Sequence, residues 1–190
     1  LNADGWRRYN NALNALALLP IRMVARGMLA LDDIMAITKS EQRNRAVDLV
    51  IVDTLNKIPE QGDSLYQQMS HLTNRLSGWA LNSEFHVLVA AQLSRANSQR
   101  TDKLPQLSDL RDSGTVEQDA DNVVFLHRDY YYSQEDATKR NEARFIIAKR
   151  RDGKVGSDKL GWQPECTNFE ASTTENVVLD DKRAVYRGGE

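Results

Sequence analysis

Apolar residues along this chain fall into two rhythms, and each predicts a different kind of element. Trp6, Tyr9, Leu13 and Leu16 recur at spacings of three and four, the mark of one face of a helix over residues 3–18. Asn2 is placed to cap its start and Pro20 to end it. A second helix is expected over residues 31–45, with Leu31, Ile34 and Met35 on one face and Arg43 and Arg45 at its carboxyl end, where cations suit the helix dipole. From Ser64 onward Leu65, Met69, Leu72, Leu76 and Trp79 keep the same spacing, so the third helix is strongly amphipathic.

The other rhythm is a short unbroken apolar run. Leu49-Val50-Ile51-Val52, closed by Asp53, has the composition of a central strand covered on both faces, and residues 87–91 and 123–126 read as further buried parallel strands. Residues 21–25 are expected to form a short edge strand. A strand, a long helix and a strand in that order imply a parallel pair with a right-handed crossover. Near the end, strands over residues 143–148 and around 159–162 flank a glycine-containing turn, the pattern of an antiparallel hairpin with Lys149-Arg150-Arg151 at its tip. The fold class is therefore α/β: a largely parallel sheet flanked by helices, closed by a carboxyl-terminal antiparallel hairpin. Residues 1–170 are expected as one domain and 171–190, which lack periodicity, as a flexible tail.

Composition narrows the partners more than the fold. A chain of 190 residues can build one substantial core, and 25 basic against 27 acidic residues leave no overall attraction to nucleic acid, so any such contact must come from a local patch. Cys166 is the only cysteine and cannot form an internal disulfide. No apolar run approaches a membrane span or a signal-peptide core, so a soluble, cytoplasmic protein with no membrane partner is expected. The first residue is Leu1 rather than methionine, the expectation for a fragment or a processed product.

Chemistry concentrates between His86 and Arg128. Gln92 follows the second apolar run, and the carboxyl ends of strands in an open α/β sheet are where ligands bind. The loop beyond it carries Arg95, Arg100, Lys103 and Arg111, then turns at Ser113-Gly114 into the acidic helix start Glu117-Gln118-Asp119-Ala120-Asp121, a loop suited to meeting an anion. Asp53, at the end of its run, could hold a magnesium ion through water beside a triphosphate, or simply cap the next turn. Gln92 could orient a water or sense a γ-phosphate, or act as a hydrogen-bonding edge residue. The basic run could push a planar guanidinium across an interface towards a phosphoryl group, or be a solvated turn. Tyr130-Tyr131-Tyr132 could stack on bases or adenine, or pack together as an aromatic cluster. One motif is missing: the only Gly-Lys pair, Gly153-Lys154, is followed by Val155 and lacks a glycine five residues earlier, so these residues contain no phosphate loop of the form GxxxxGK followed by Ser or Thr.

The segments VDLVIVDTLNKI, AAQLSRANSQRTDKLPQLSDLRDSGTVEQDADNVVFLHRD and ARFIIAKRRDGKVGSDKLGWQPECTNF resemble, in order and spacing, the carboxyl-terminal motor domain of the DnaB-type hexameric replicative DNA helicases. The resemblance covers about residues 1–170 and is most specific in the middle segment. It implies a RecA-like core, a hexameric ring of identical subunits around single-stranded DNA, and unwinding driven by ATP hydrolysis with Mg2+ at subunit interfaces. A primase and a helicase loader are implied as further partners. Position by position, the resemblance gives Asp53 the support of magnesium and Gln92 the reading of the γ-phosphate. It gives Arg111, Asp112 and Gly114, in DLRDSG, contact with the DNA backbone, and Lys149 and Arg151 the reach to the neighbouring subunit's nucleotide. Three positions depart from the family pattern: Asp112 stands where glutamate is more usual, Thr54 where an aromatic is common, and Ala91 where a serine is common. The family's phosphate loop, catalytic glutamate and primase-binding domain are expected upstream of Leu1, so this chain alone is expected to be inactive.

Two other readings stand beside this one. The first is an inactive helicase-like module that binds DNA or joins a full ring. The second is a RecA-like recombinase relative, which the run DLRDSGTVEQDAD disfavours.

Overall fold

The most strongly patterned segment forms the central helix of the core. The structure is a computed structural model that describes residues 2–94 and 100–171, and within these not the side chains of residues 111–115. Helix α1 spans Ala3–Ala17, α2 Leu31–Gln42 and α3 Leu65–Leu81. The starts of α1 and α3 are capped as the sequence implies: Gly5 N donates to Asn2 Oδ1 at 2.8 Å and Gln67 N to Ser64 Oγ at 3.2 Å. Strands β1 Leu49–Asp53 and β2 His86–Ala90 flank α3 in sequence and pair in parallel, from Leu49 opposite His86 to Asp53 opposite Ala90.

Around this unit Leu31, Val52, Leu55, Ile58, Met69, Leu72 and Leu76 form a buried cluster, with Val50, Val87 and Val89 packed against it. One face of the strand pair is thus covered. On the other, Leu49, Ile51 and Leu88 are exposed, Ile51 by 63%, so the expectation of a strand buried on both faces is corrected. Apolar residues on both sides of a strand state what could be covered, while α2 and α3 supply cover to one side. The expected stripe of α1 is likewise outside the core: Trp6, Tyr9, Leu13 and Leu16 are exposed and no residue of that helix is buried. Residues 21–25 form no strand, a second correction; β1 pairs only with β2 among the described residues, and without a neighbouring strand a short run has no ladder to join.

The second half is antiparallel. A 3-10 helix, Leu107–Ser113, leads directly into the short helix α4 Gly114–Asp119, followed by β3 Asn122–His127, α5 Asp129–Tyr132, β4 Glu142–Arg150, β5 Gly156–Gln163 and β6 Asn168–Ala171. The four strands run in the order β3-β4-β5-β6, every neighbour antiparallel. The run at 123–126 is therefore not a parallel strand. Its burial alternates, with Val123, Phe125 and His127 inward and Val124 and Leu126 outward, as in a sheet wet on one face. The expected hairpin is present as β4 and β5, but β6 adds a strand of four exposed residues, Asn168-Phe169-Glu170-Ala171, too short to stand out as a pattern. Lys149 and Arg150 lie within β4 rather than in the turn, so the basic tip begins at Arg151. Val116 of α4 packs against both the first cluster and a second one made by Leu110, Val123 and Phe125, which joins the two halves. The α/β class holds, with a smaller parallel and a larger antiparallel part than the pattern implied. Of the expected tail 171–190, Ala171 is the last residue of β6 and residues 172–190 lie outside the described residues.

Candidate nucleotide and nucleic-acid interface

Parallel pairing brings two of the candidate residues together. Asp53 closes β1 opposite Ala90, and Gln92 follows β2 by two residues, so both stand at the carboxyl edge of the strand pair. Thr54 Oγ1 donates to Ala90 O at 2.8 Å, tying the two strand ends, and Gln92 N lies 3.5 Å from Asn56 Oδ1, a long contact. Asp53 and Gln92 are both exposed. The peptide bond between Asp53 and Thr54 is cis. Among the described residues no group of three or more His, Cys, Asp or Glu is arranged to hold a metal ion. A single exposed carboxylate does not make a protein cage, but it fits magnesium, which keeps several waters and takes its remaining ligands from phosphates.

The loop after β2 is held more firmly than its charge suggests. Arg95 lies outside the described residues. Arg100, expected to face an anion, instead turns inward: Nη1 and Nη2 each donate to Asp109 at 2.8 Å, and Nη2 also to Leu104 O at 2.8 Å. Asp109 is 3% exposed and also accepts from Gln106 N at 2.8 Å. The planar fork of arginine is thereby spent on a buried carboxylate, which corrects the reading of Arg100 as a free cation of the loop. Ser94 N donates to Asp109 O at 2.9 Å, so the same aspartate residue anchors the loop to the end of β2. The backbone of Arg111 and Asp112 lies in the 3-10 helix, and Gly114 opens α4; their side chains lie outside what the structure describes.

Lys149 and Arg151 meet on the far end of α4. Lys149 Nζ donates to the carbonyls of Glu117 at 2.6 Å and Gln118 at 3.0 Å. Arg151 forms an ion pair with Asp121 and donates its backbone N–H to Asp121 O at 2.9 Å. The structure thus groups Asp53 with Gln92, and Lys149 with Arg151, and the described contacts of the second pair run to α4 and Asp121. Sequence reading missed Asp109 and Asp121 as partners. The one signal available was their negative charge, in DLRD and QDAD, since both lie away from Arg100 and Arg151 in the chain.

Beyond these residues, buried His127 bonds through Nε2 to Asp129 Oδ1 at 2.8 Å and stacks on Tyr132 with ring centroids 5.5 Å apart. Tyr132 thus uses a face internally, whereas Tyr131 is 74% exposed. Arg144 adds an ion pair to Asp129 at 3.0 Å. Burial pushes the Asp129 carboxyl up, but the His127 hydrogen bond and the charges of Arg144, His127 and Lys139 outweigh it and hold the group below its ordinary value.

Residues 1–171 match the family described as the DnaB-like helicase C terminal domain. The chain belongs to that family. Among relatives of this DnaB-like domain, the replicative DNA helicase DnaB of Geobacillus stearothermophilus is 33% identical over 172 residues, covering 89% of this chain and 38% of the relative. The DnaB of Buchnera aphidicola subsp. Acyrthosiphon pisum is 31% identical over 181 residues, with 90% and 38% covered. The DnaB-like domain therefore spans well under half the length of these curated relatives. Two solved structures share its fold at 33% identity. One is described as an ATPase domain, with a TM-score of 0.85 over 90% of this chain and 62% of that one. The other is a DnaB-like replicative helicase described with its interactions with primase, with a TM-score of 0.85 over 90% and 43%. Among the described residues no helix is long and apolar enough to cross a membrane.

Proposed function

We propose that this DnaB-like domain is the carboxyl-terminal part of an ATP-dependent replicative helicase motor, which moves along single-stranded DNA in the cytoplasm as one subunit of a hexameric ring. The observation that carries the reading is the placement of Asp53 and Gln92 side by side at the carboxyl edge of a parallel strand pair, within a chain of this family. There Asp53 would hold a hydrated Mg2+ against the nucleotide, and Gln92 would contact the γ-phosphate. Magnesium, when bound, would neutralise charge on the phosphate oxygens. Arg111, Asp112 and Gly114, on the segment entering α4, would follow the DNA backbone, and primase and a loader would be partners of the ring. Lys149 and Arg151 would act on the nucleotide of the adjacent subunit, where a permanently charged planar group suits the spread charge of phosphoryl transfer.

The test is Arg151→Ala in the complete ring. Nucleotide binding and assembly should persist while hydrolysis falls by roughly three orders of magnitude or more, and Arg151→Lys should stay severely impaired because a point charge lacks the planar fork. In mixed rings, a subunit carrying Arg151→Ala should be complemented by one carrying Asp53→Ala, since one intact interface can form between them. Near-normal hydrolysis by the Arg151→Ala ring removes the residue from the mechanism. A second reading is an assembly module without motor activity, and the two differ in outcome. A module of that kind should join rings of an intact relative and change their activity, whereas a motor part should not act until joined to a phosphate loop.

A further inference from the structure

Lys149, near the end of β4, is held by the short helix α4 and Arg151, just after β4, by Asp121 beyond that helix, while α4 itself continues the segment that carries Arg111 and Asp112. Lys149 bonds to the carbonyls of Glu117 and Gln118 in the last turn of α4. Just beyond α4, Asp121 holds Arg151 twice, by its carboxylate and by its own carbonyl. A bulge in β4 produces this arrangement: Val123 pairs with Lys149 but Val124 with Ile147, so Ala148 is the extra residue and the end of the strand is turned relative to the rest.

We propose that Asp121 is the resting partner of Arg151, a positioning residue that, together with the α4 carbonyls on Lys149, withholds both cations from a neighbouring subunit's nucleotide until the DNA-loop segment moves. This rests on the reading of Arg151 as a group acting in trans. A guanidinium edge that pairs with a carboxylate is not free to bridge phosphate oxygens. Arg151 and Asp121 are 60% and 62% exposed, and a pair so open to water shifts an equilibrium by no more than about fivefold. The contact therefore delays without trapping, and a multiply charged phosphate can displace it. Because hydrogen bonds weaken steeply beyond about 3.5 Å, a shift of α4 by about 1 Å is enough to release Lys149. DNA bound on the segment that enters α4 would thus reach Lys149 through α4 and Arg151 through Asp121 just beyond it.

ATP hydrolysis by the complete ring, with and without a single-stranded oligonucleotide, tests this on wild type, Asp121→Asn, Asp121→Glu and Arg151→Ala. Asp121→Asn should raise kcat without DNA by about three- to fivefold, leave KM for ATP unchanged and reduce DNA stimulation by the same factor. Asp121→Glu, which keeps the carboxylate, should restore most of the low DNA-free rate. A destabilised site would lower both rates, so a rise is not the mark of a merely structural role. If Arg151→Ala is inactive but Asp121→Asn leaves DNA-free hydrolysis unchanged or lower, the resting contact is overturned and the trans role survives. If Arg151→Ala is normal, both fall. Should the asparagine ring fail to assemble, side-chain NMR of the 190-residue chain decides: the Arg151 guanidinium protons should exchange more slowly in wild type than in Asp121→Asn, by up to about fivefold, and equal rates overturn the proposal.

Discussion

Replacing Arg100 by alanine separates a cation that serves the fold from one that serves a ligand. In wild type the guanidinium gives two 2.8 Å bonds to Asp109, whose side chain is 3% exposed, while Arg100 itself is 30% exposed. Without it, the Asp109 carboxylate keeps the Gln106 N–H as its remaining described donor. Breaking a buried pair from one side costs about 3–5 kcal/mol because a charge is left uncompensated. The partial exposure of Arg100 lets water enter the vacated space, so a loss of about 2–3 kcal/mol is expected here. For a chain of this size that corresponds to a fall in Tm of roughly 5–10 °C. Urea unfolding of the 190-residue chain followed by tryptophan fluorescence measures it, and the cycle with Asp109→Ala isolates the pair. The double variant should be less unstable than the sum of the singles, because no orphaned charge remains. A stability change within about 0.5 kcal/mol for Arg100→Ala, together with weaker binding of single-stranded DNA, would refute the argument and return Arg100 to the ligand-binding loop.

Leu72 is 0% exposed and Ile51 63%, so Leu72→Ala should cost about 2–5 kcal/mol in urea unfolding of the chain whereas Ile51→Thr should stay within about 0.5 kcal/mol; comparable losses would mean that the outer face of β1 is covered. Asp129 has a folded pKa below its ordinary 3.8, so it contributes stability above that value that is lost as pH falls through the lowered pKa; wild type should lose its advantage over Asp129→Asn below about pH 4, and parallel stability curves through that range would show that the group has no such role. In the complete protein, Arg111→Ala should weaken single-stranded DNA binding about equally on all sequences and reduce the salt slope by about one phosphate contact, while a loss that depends strongly on sequence would exclude backbone tracking.

What could be read from the sequence follows from what periodicity encodes. Met69, Leu72 and Leu76 recur at helical spacing because one face of α3 must be buried, and all three are buried. The ends of β1 and β2 were legible too, since Asp53 and Gln92 follow the apolar runs and a polar residue there marks where the chain leaves the sheet. Strand faces were not. Ile51 and Val52 are both branched and apolar, yet one is 63% exposed and the other 7%, a difference set by where α2 and α3 pack rather than by either residue. Strand direction was hidden for the same reason: Val124 and Leu126 made a half-exposed antiparallel strand look like a buried parallel one. The strand β6 was too short, at four residues, for Phe169 and Ala171 to show a pattern, and its pairing to β5 is a backbone property.

The two arginines show the deeper limit. In the chain, Arg100 and Arg151 are similar signals, each a loop cation with an acidic residue to meet, and each meets an aspartate. The carboxylate's surroundings separate them. Asp109 is buried, so without the guanidinium its charge is left with the Gln106 N–H and little water, and losing that partner would cost far more than the pair gains over water. Asp121 is 62% exposed, so water replaces the guanidinium at little cost. The same chemical pair is therefore a fixed brace at one position and an exchangeable contact at the other. Because Asp109 lies in the 3-10 helix and Asp121 just beyond α4, the fixed pair anchors one end of the segment 109–121 while the exchangeable pair sits at the other. A movement that starts at residues 111–114 would meet resistance from the Arg100 brace and find release on the side of Lys149 and Arg151.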